Sequence, residues 1–400
     1  MDGYPWGVSS RPRVALATRI YRPEAAAAAF RLGALVDALV EAGAEVDVLT
    51  TTAPRSLTAL AAQQDAATPA RVRRFPVRRD AGDYVRGYAS YASFDLPLFF
   101  RLLTTRRPGV VVVEPPPTTG VVTRLVCALR RLPYVAYVPD LWSDGTASTA
   151  APRMVKAVVR ACERLTLRGA RAVIFPTPTL AARASTLHRL DPRRVRVVPN
   201  GVDTDTFTAE GPPAEHAPAG PYAVYAGTTS EWQGADILAR AWGDVLRRVP
   251  TARLVFLGQG TDAGLIRSLA EKLPDGGASI LQLPLVPPAE AAAWQRGATV
   301  ALCTMRPNIA YNYFTPTKVF AAAACGTPTL YIGPGPAGDL VREAVLGRTV
   351  EYDVAAVGAA LTEALSSPPS PADRERLRAW AVANASITET GRKAAAVVLR

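Results

Sequence analysis

The sequence predicts an α/β protein of two tandem lobes, each built on a parallel β-sheet. Short apolar strands alternate with helix-length segments through both halves, and this order produces parallel sheets covered by helices. A chain of 400 residues with 49% hydrophobic residues can bury two cores. A Pro-, Ala- and Gly-rich loop at 210–220 separates the halves. One large doubly wound sheet fits this length and this loop less well.

The first half begins with a βαβ unit. A strand at 13–18, a helix at 23–43 and a strand at 45–50 follow one another, and Gly43 ends the helix. Further strands are predicted at 110–113, 134–138, 172–175 and 195–198, with helices at 119–132 and 153–168. Because parallel strands share one carboxyl edge, the loops at that edge should carry the functional residues.

The second half repeats the strand and helix alternation. The predicted strands are 222–225, 253–257, 300–303 and 329–332, and the predicted helices are 234–249, a segment ending near 272, and 318–324. The last thirty residues, from about 371 to 400, are helical and amphipathic in pattern. The second half therefore has its own sheet and its own core.

Positive charge is concentrated in the first half. Residues 1–200 contain 29 Lys and Arg and 15 Asp and Glu, a net charge of +14, whereas residues 201–400 carry −2. The basic half is either a solvated surface or a surface for an anionic partner, such as a phospholipid surface, a lipid diphosphate or nucleic acid. Nucleic acid is the least favoured of these partners. The sequence lacks the features of the usual nucleic-acid-binding modules, namely zinc-ligand spacing, aromatic side chains on a sheet face and a basic recognition helix.

Other features bear on location and cofactors. No apolar run approaches the roughly 18–20 residues of a membrane helix, and the N-terminal segment lacks the apolar region of a secretion signal. The four cysteines are scattered and the chain has two histidines, so neither a metal nor a disulfide spacing is visible. We expect a cytoplasmic protein without a bound metal or resident cofactor; attachment to the inner membrane face through the basic half stays open.

Three turns in the second half suit a diphosphate. Gly227-Thr-Thr-Ser230 and Gly258-Gln-Gly260 each follow a strand, where small residues let a phosphate approach backbone N–H groups. Neither turn alone is strong evidence for a phosphate site, because glycines also occur in turns that bind no ligand. Thr315-Pro-Thr-Lys318 opens a helix and puts a lysine in its first turn, where the helix dipole disfavours a cation. The chain has four lysines among its 46 basic residues, so a phosphate ligand explains Lys318 better than a surface position does.

The first half offers polar candidates after two strands. Asp140 follows the strand at 134–138, and Arg19, Arg22 and Glu24 follow the first strand, where they are candidate acceptor or phosphate contacts. The remaining polar and aromatic residues have plainer interpretations. Trp142 is assigned to packing, His188 to the surface, and Asn200 and Asp203 to a turn.

Taken together, these segments resemble the retaining glycosyltransferases of family 4, which have the GT-B fold. The resemblance covers nearly the whole chain and includes the segments VALATRIYRPEAAAAAFRLGALVDALVEAGAEVDVLTT, VRVVPNGVDTDTF, YAGTTSEWQG, LVFLGQG, TPTKVFAAAACGTPTL and AGDLVREAVLGRTV. Three details look like the fucosamine-transferase-like branch: VPDLWSDG at 138–145, Gln233 where many members have lysine, and Thr317-Lys318 at the helix start.

The resemblance implies two Rossmann-like lobes that face a central cleft. Residues 1–192 would form the acceptor-binding lobe and residues 193–375 the nucleotide-sugar-binding lobe. A C-terminal helix within 376–400 would cross back to complete the first lobe, with Trp380 as its anchor. Family members place the reaction in the cleft.

The resemblance also implies an activity and its residues. It implies retaining transfer of a hexose or N-acetylaminosugar from a nucleoside-diphosphate sugar, expected to be a UDP-sugar, to a lipid-linked, polysaccharide or small-molecule acceptor. Lys318 would face the donor diphosphate and Asp140 the donor sugar, so these two are the catalytic candidates. The other donor-binding candidates are Gly227, Thr228, Gln233, Gly258, Gly260 and Thr317. In the family the leaving phosphate itself takes the acceptor proton, so leaving-group electrostatics and positioning supply most of the catalysis.

Two departures from the family leave an alternative open. The two family glutamates fall on Tyr313 and Ala321, and the family arginine after the YAG glycine falls on Thr228. A lost ribose contact at Ala321 costs about 2–4 kcal/mol of donor binding if nothing replaces it. The alternative is a catalytically silent GT-B protein that binds a nucleotide sugar or supports a partner enzyme. A sugar-nucleotide epimerase ranks lower, because such an enzyme needs several ionisable groups in its cleft.

Overall fold

The chain folds into two α/β units, each with its own sheet. The computed structural model describes residues 11–24, 26–80, 83, 85, 87–114, 116–147, 149–307, 313 and 315–400. One unit consists of residues 1–200 with 387–400, and the other of residues 201–386. The prediction of two parallel-sheet α/β lobes is confirmed.

The strands are short and lie parallel within each sheet. They are β1 (Arg13–Ala17), β2 (Glu45–Thr51), β3 (Arg71–Phe75), β4 (Val110–Val113), β5 (Tyr134–Tyr137), β6 (Ala172–Phe175), β7 (Val195–Val197), β8 (Tyr222–Ala226), β9 (Arg253–Leu257), β10 (Ile280–Leu283), β11 (Val300–Thr304), β12 (Thr329–Ile332) and β13 (Gly347–Val350). Among the described residues, the first sheet has the order β3-β2-β1-β4-β5-β6-β7 and the second the order β10-β9-β8-β11-β12-β13. Each sheet thus reverses its winding direction beside its first strand, and the loops after the strands at that point are placed to bind ligands.

Helices connect the strands. They are α1 (Ala27–Glu41), α2 (Thr58–Ala67), α3 (Tyr88–Thr104), α4 (Pro117–Arg130), α5 (Trp142–Ala147), α6 (Arg153–Gly169), α7 (Pro178–His188), α8 (Asp236–Arg248), α9 (Ala263–Ala270), α10 (Pro288–Gly297), α11 (Thr317–Ala324), α12 (Pro336–Glu343), α13 (Val354–Ser366), α14 (Pro371–Asn384) and α15 (Ile387–Leu399). None of the helices in the described part of the chain has the length and apolar character that crossing a membrane requires.

The first unit is built around the central strands of its sheet and two helices from opposite ends of the chain. Leu32, Leu35 and Leu39 of α1 are fully buried against those strands. Ala394 and Val398 of α15 belong to the same core. Helix α1 ends before Gly43, whose φ of +82° is a conformation that glycine adopts without strain.

The second unit has a separate core. Trp242 of α8 is fully buried there, and its indole N–H donates to the Ser279 hydroxyl at 2.9 Å. Helix α13 packs against α8. Because this unit is continuous in sequence from 201 to 386, its core contains no residues from 1–200 or 387–400.

The unit boundaries differ from the predicted domain boundaries at two places. Strand β7 pairs with β6 in the first sheet, so the first crossing falls at 200/201 and not at 192/193. The returning segment starts at Ile387 and not at 376. The predicted boundary placed β7 in the second lobe, because a sequence pattern predicts a strand but not the sheet that the strand joins.

Trp380 does not anchor a tail on the first unit. Its ring stacks on Phe320 with 6.2 Å between ring centroids, and both residues lie in the second unit. The predicted amphipathic segment is two helices. Helix α14 packs against α11 in the second unit, whereas α15 packs against α1 in the first.

Candidate functional site

In the second unit, two loops at the carboxyl edge of the sheet pack tightly together. Gly227 follows β8 with a φ of +139°, and its N–H donates to the Leu257 carbonyl at 2.8 Å. A Cβ atom on Gly258 would lie 2.6 Å from the Gly227 carbonyl oxygen, and one on Gly260 would collide with the Thr229 backbone. Gly258 and Gly260 therefore let the loop after β9 approach the loop after β8, and close packing is sufficient to explain both.

Lys318 lies beside this turn. Its Nζ is 3.9 Å from the centroid of the Tyr225 ring, and a Cβ on Gly227 would lie 3.2 Å from that Nζ. The Nζ is buried and has no hydrogen-bond partner among the described residues. A buried ammonium group without an acceptor is unfavourable, so this position suits an anion.

Gln233 and Thr228 complete the same turn. The Tyr225 hydroxyl lies 2.7 Å from Gln233 Oε1 and the Thr228 hydroxyl lies 3.4 Å from it. Gln233 is thus held beside Tyr225, and the Lys318 ammonium lies over the ring of this tyrosine. Thr228 is exposed. The structure brings Gly227, Thr228, Gln233 and Lys318 together; that they bind a donor stays a prediction.

Hydroxyl groups without partners surround these residues. The hydroxyls of Thr229, Ser230 and Thr304 are buried without a hydrogen-bond partner in the described part of the chain. They follow or end strands β8 and β11, which are neighbours in the sheet. Buried hydroxyls are normally hydrogen-bonded, so this group of atoms fits a polar ligand or water.

An ion pair that the sequence did not predict links two loops of this unit. Asp236 at the start of α8 is buried and accepts from Arg306 Nη2 at 2.7 Å and from Arg240 Nε at 2.9 Å. Arg306 follows β11. The pair therefore ties the segment after β8 to the segment after β11. An arginine two residues after a buried strand was the available signal.

Ala321 supplies no carboxylate to this unit. It is 7% exposed and lies in an apolar cluster with Val319 and Phe320. Tyr313, at the position of the other family glutamate, is half-buried. Thr317 is the first residue of α11 and is half-buried beside Lys318 in sequence.

In the first unit, Asp140 lies just beyond β5. It is half-buried, and burial raises the pKa of its carboxyl to about 6. The positive charge of Arg31 opposes that rise, whereas Glu114 and Glu163 add to it. A carboxyl group with such a pKa can be neutral or charged near neutral pH.

Glu163 holds the turn that carries Asp140. This buried carboxylate of α6 accepts from the Trp142 N–H at 2.7 Å and also from the Ser143 hydroxyl, so it caps the start of α5. His188 Nε2 lies 2.9 Å from the same carboxylate. The assignment of His188 to the surface is wrong, because α7 turns this ring inward and leaves it 0% exposed.

A second buried charge pair lies near Asp140. Arg31 of α1 forms an ion pair with Glu114, and both side chains are about 95% buried. Arg31 also donates to Asn200 Oδ1 at 3.3 Å, and its guanidinium lies over the Tyr137 ring at 5.1 Å. Neither Arg31 nor Glu114 was predicted, because a charged residue next to an apolar helix stripe gives no sign that its partner is buried too.

The three basic and acidic candidates after β1 are in different environments. Arg19 is 7% exposed, and its guanidinium lies 4.0 Å from the Tyr91 ring centroid; its Nε and Nη1 have no hydrogen-bond partner among the described residues. Arg22 forms a two-pronged ion pair with Asp37. Glu24 lies 3.7 Å from Arg79, and burial raises the pKa of its carboxyl. Arg19 is thus the one of the three with unpaired donors.

Trp142 packs edge-on against Tyr91 with 5.9 Å between ring centroids, which agrees with a packing role. The four cysteines form no disulfide. Within the described ranges, no cluster of three or more His, Cys, Asp and Glu residues could hold a metal ion.

Two family models match the two halves of the chain. Residues 27–201 match the model described as a glycosyl transferase 4-like domain, and residues 220–367 match the model described as glycosyl transferases group 1. The chain belongs to the family 4 glycosyltransferases of the GT-B fold. Its assignment to the fucosamine-transferase-like branch stays a prediction.

Curated relatives of this family 4 chain are D-inositol 3-phosphate glycosyltransferases. The protein of Frankia alni is 29% identical over 238 residues, 56% of this chain and 56% of the relative. The protein of Acidothermus cellulolyticus is 30% identical over 247 residues, 57% of this chain and 50% of the relative. The chain spans about half the length of the curated relatives it matches.

Solved structures agree in fold at low sequence identity. WaaG, a glycosyltransferase involved in lipopolysaccharide biosynthesis, is 16% identical with a TM-score of 0.72, over 96% of this chain and 99% of that one. Anabaena HepE in complex with UDP is 14% identical with a TM-score of 0.68, over 96% of this chain and 98% of that one. These likenesses confirm the GT-B fold of this family 4 member.

Proposed function

We propose that this chain is a retaining glycosyltransferase that moves a sugar from a UDP-sugar to an anionic or lipid-linked acceptor. The observation that carries the proposal is the buried Lys318 ammonium, which lies over Tyr225 beside Gly227 without a partner among the described residues. A diphosphate leaving group would supply the negative charge that this ammonium lacks.

The chemistry required of the second unit is electrostatic. When the bond between the sugar and the diphosphate breaks, negative charge develops on the leaving phosphate, and Lys318 would stabilise it. Gly227 allows close approach, and Thr228 and Gln233 would orient the donor. HepE, a neighbour in fold, is described in complex with UDP and with UDP-glucose, which supports a uridine nucleotide.

The acceptor belongs to the first unit in this proposal. The curated relatives are named for an inositol 3-phosphate acceptor, which is anionic. The unpaired donors of the buried Arg19 and the basic character of residues 1–200 support an acceptor of the same charge. Asp140 would act at the donor sugar, and the leaving phosphate would take the acceptor proton.

The test is donor binding to purified Lys318→Ala. A ligand at about 100 times its dissociation constant stabilises the folded protein by about 2.7 kcal/mol, so the wild type should melt at a higher temperature with UDP or one UDP-sugar. We expect Lys318→Ala to fold normally and to lose this shift, because its diphosphate contact is gone. The matched control is Lys272→Ala, which removes an exposed lysine from the same unit.

Product analysis separates the proposal from its alternative. An unchanged donor shift in Lys318→Ala would remove this lysine from the site. Donor binding without hydrolysis or transfer would favour the silent nucleotide-sugar binder. The retaining reaction is checked by nuclear magnetic resonance of the fresh product, and an inverted anomeric configuration would contradict it.

A further inference from the structure

Three helices of the first unit expose large apolar side chains. Helix α4 packs against both α3 and α6, so the three lie side by side. The exposed apolar side chains recur at helical spacing and form what we call the three-helix face: Leu96, Phe100 and Leu103 on α3, Leu125 and Leu129 on α4, and Met154, Val158 and Leu165 on α6. Phe100 is 64% exposed and Met154 is 78% exposed. Exposed apolar side chains that lie together on neighbouring helices mark a candidate interaction surface.

The charge of these helices is all of one sign at the surface. Asp95 and Glu163 are the acidic residues of α3, α4 and α6, and both are buried. The basic residues of the same helices are Arg101, Arg124, Arg130, Arg153, Lys156, Arg160, Arg164 and Arg168. The partner of the three-helix face should therefore combine apolar material with negative charge.

A hollow beside α6 concentrates this charge. It has a volume of about 380 Å³ and is lined by Ser143, Ala147, Arg153, Lys156, Ala157, Arg160, Ala161 and Arg164. Four of these described lining residues are cationic and none is acidic. The Lys156 ammonium donates to the Ala147 carbonyl at 3.0 Å, and no acidic side chain among the described lining residues balances its charge. Such a hollow suits a phosphate group.

We propose that the three-helix face rests on an anionic lipid bilayer. Lipid phosphates would occupy the hollow beside α6, and the apolar side chains would enter the boundary between headgroups and acyl chains. No described helix is long and apolar enough to cross a membrane. In this proposal the three-helix face therefore binds at the surface of the bilayer. A second copy of the chain is a poor partner, because a two-fold contact would place the same positive charges opposite each other.

This inference goes beyond the proposed function, because binding to a bilayer needs neither donor nor transfer. It also places the bilayer near the Asp140 turn within the first unit. Glu163 of α6 caps α5 directly after that turn. An acceptor anchored in the bilayer would then approach the enzyme from the membrane-bound side of the first unit.

The experiment is co-sedimentation of the full chain with lipid vesicles. Phosphatidylcholine vesicles are compared with vesicles that also contain about 30% phosphatidylglycerol, since anionic lipid attracts basic surface residues. We expect binding to the anionic vesicles, weaker binding at high salt and little binding to phosphatidylcholine alone.

Two double variants separate charge from apolar contact. Arg153→Glu with Arg160→Glu should lower the vesicle partition coefficient about tenfold or more, because each basic residue near an anionic surface contributes severalfold. Phe100→Ser with Met154→Ser should lower it as well, since buried apolar area is lost. The matched controls are Lys393→Glu on α15 and Leu285→Ser in the second unit, both exposed and outside the face. Circular dichroism melting shows that each variant is folded.

Three outcomes would overturn the inference. Wild type that stays in the supernatant with anionic vesicles excludes the bilayer. Equal sedimentation of the wild type and both double variants assigns the binding to another surface. A concentration-dependent dimer that Phe100→Ser with Met154→Ser abolishes, without vesicle binding, assigns the face to a protein contact. Because none of these readouts uses a donor, failure here leaves the Lys318 test intact.

Discussion

Single residues in this protein bury charge in two ways. Arg31 is paired with Glu114, so its burial is compensated. Lys318 and Arg19 have buried donors without partners in the described part of the chain. The charges of the first arrangement balance each other within the unit, whereas the second arrangement suits a ligand that brings negative charge.

Asp140 predicts a pH dependence of stability. Its pKa of about 6 in the folded protein lies above the roughly 3.9 of an unfolded chain, so folding favours the neutral carboxyl. The destabilisation is absent below about pH 4 and complete above about pH 6. Asp140→Asn should therefore raise the free energy of unfolding by about 1–3 kcal/mol at pH 8 and by little at pH 4, as measured by urea unfolding.

Asp373 supplies a control of opposite sign. Its hydrogen bonds with Ser370 lower the pKa of its carboxyl, so Asp373→Asn should lose stability at neutral pH and lose less as the pH falls. A gain from Asp140→Asn that is equal at both pH values would contradict the assigned cause.

At the scale of elements, one helix of the first unit depends on a neighbour for its start. Helix α5 has six residues, and Glu163 of α6 accepts from its first N–H groups. Short helices have little stability of their own, so such a cap decides whether the turn after β5 keeps its shape.

Glu163→Ala should lower the free energy of unfolding by about 2–5 kcal/mol. The substitution removes the acceptor for α5 and leaves the buried His188 ring without this partner. Urea unfolding measures the loss, and Glu163→Gln, which keeps an acceptor oxygen, should lose less. The exposed Glu375→Ala on α14 is the control; a similar loss there would show that the effect is not specific to the cap.

Elements were predictable where burial is uniform. Strands β6, β9 and β12 have the predicted bounds, because a strand buried on both faces is a continuous apolar run. Strand β3 was missed, since RVRRF is half-buried and its Arg74 is paired with Asp65. Gly227 and Lys318 were foreseen because the first follows a predicted strand and the second begins a predicted helix, whereas Gln233 was indicated by the family resemblance. Arg31, Glu114 and His188 were not, because long-range contacts alone decide their burial.

At the scale of the whole molecule, the two units use the chain differently. The second unit is continuous from 201 to 386, whereas the first needs its final segment, 387–400. That segment contributes Ala394, Ala395, Val398 and Leu399 to the core around α1.

Truncation after Ser386 should therefore destabilise the first unit and spare the second. We expect calorimetry to show a lower melting temperature for one transition, while the transition that responds to UDP stays unchanged, because the donor residues lie within 201–386. Truncation that lowers the UDP-responsive transition equally would contradict the independence of the two cores.

The same chain path sets an order of events during synthesis. The ribosome releases residues 1–200 first, yet the core of that unit lacks α15 until residues 387–400 have been synthesised. The second unit has all its residues earlier. The unit whose residues are made first is thus completed after the other, and the nascent chain presents an unfinished apolar surface along α1 until α15 emerges.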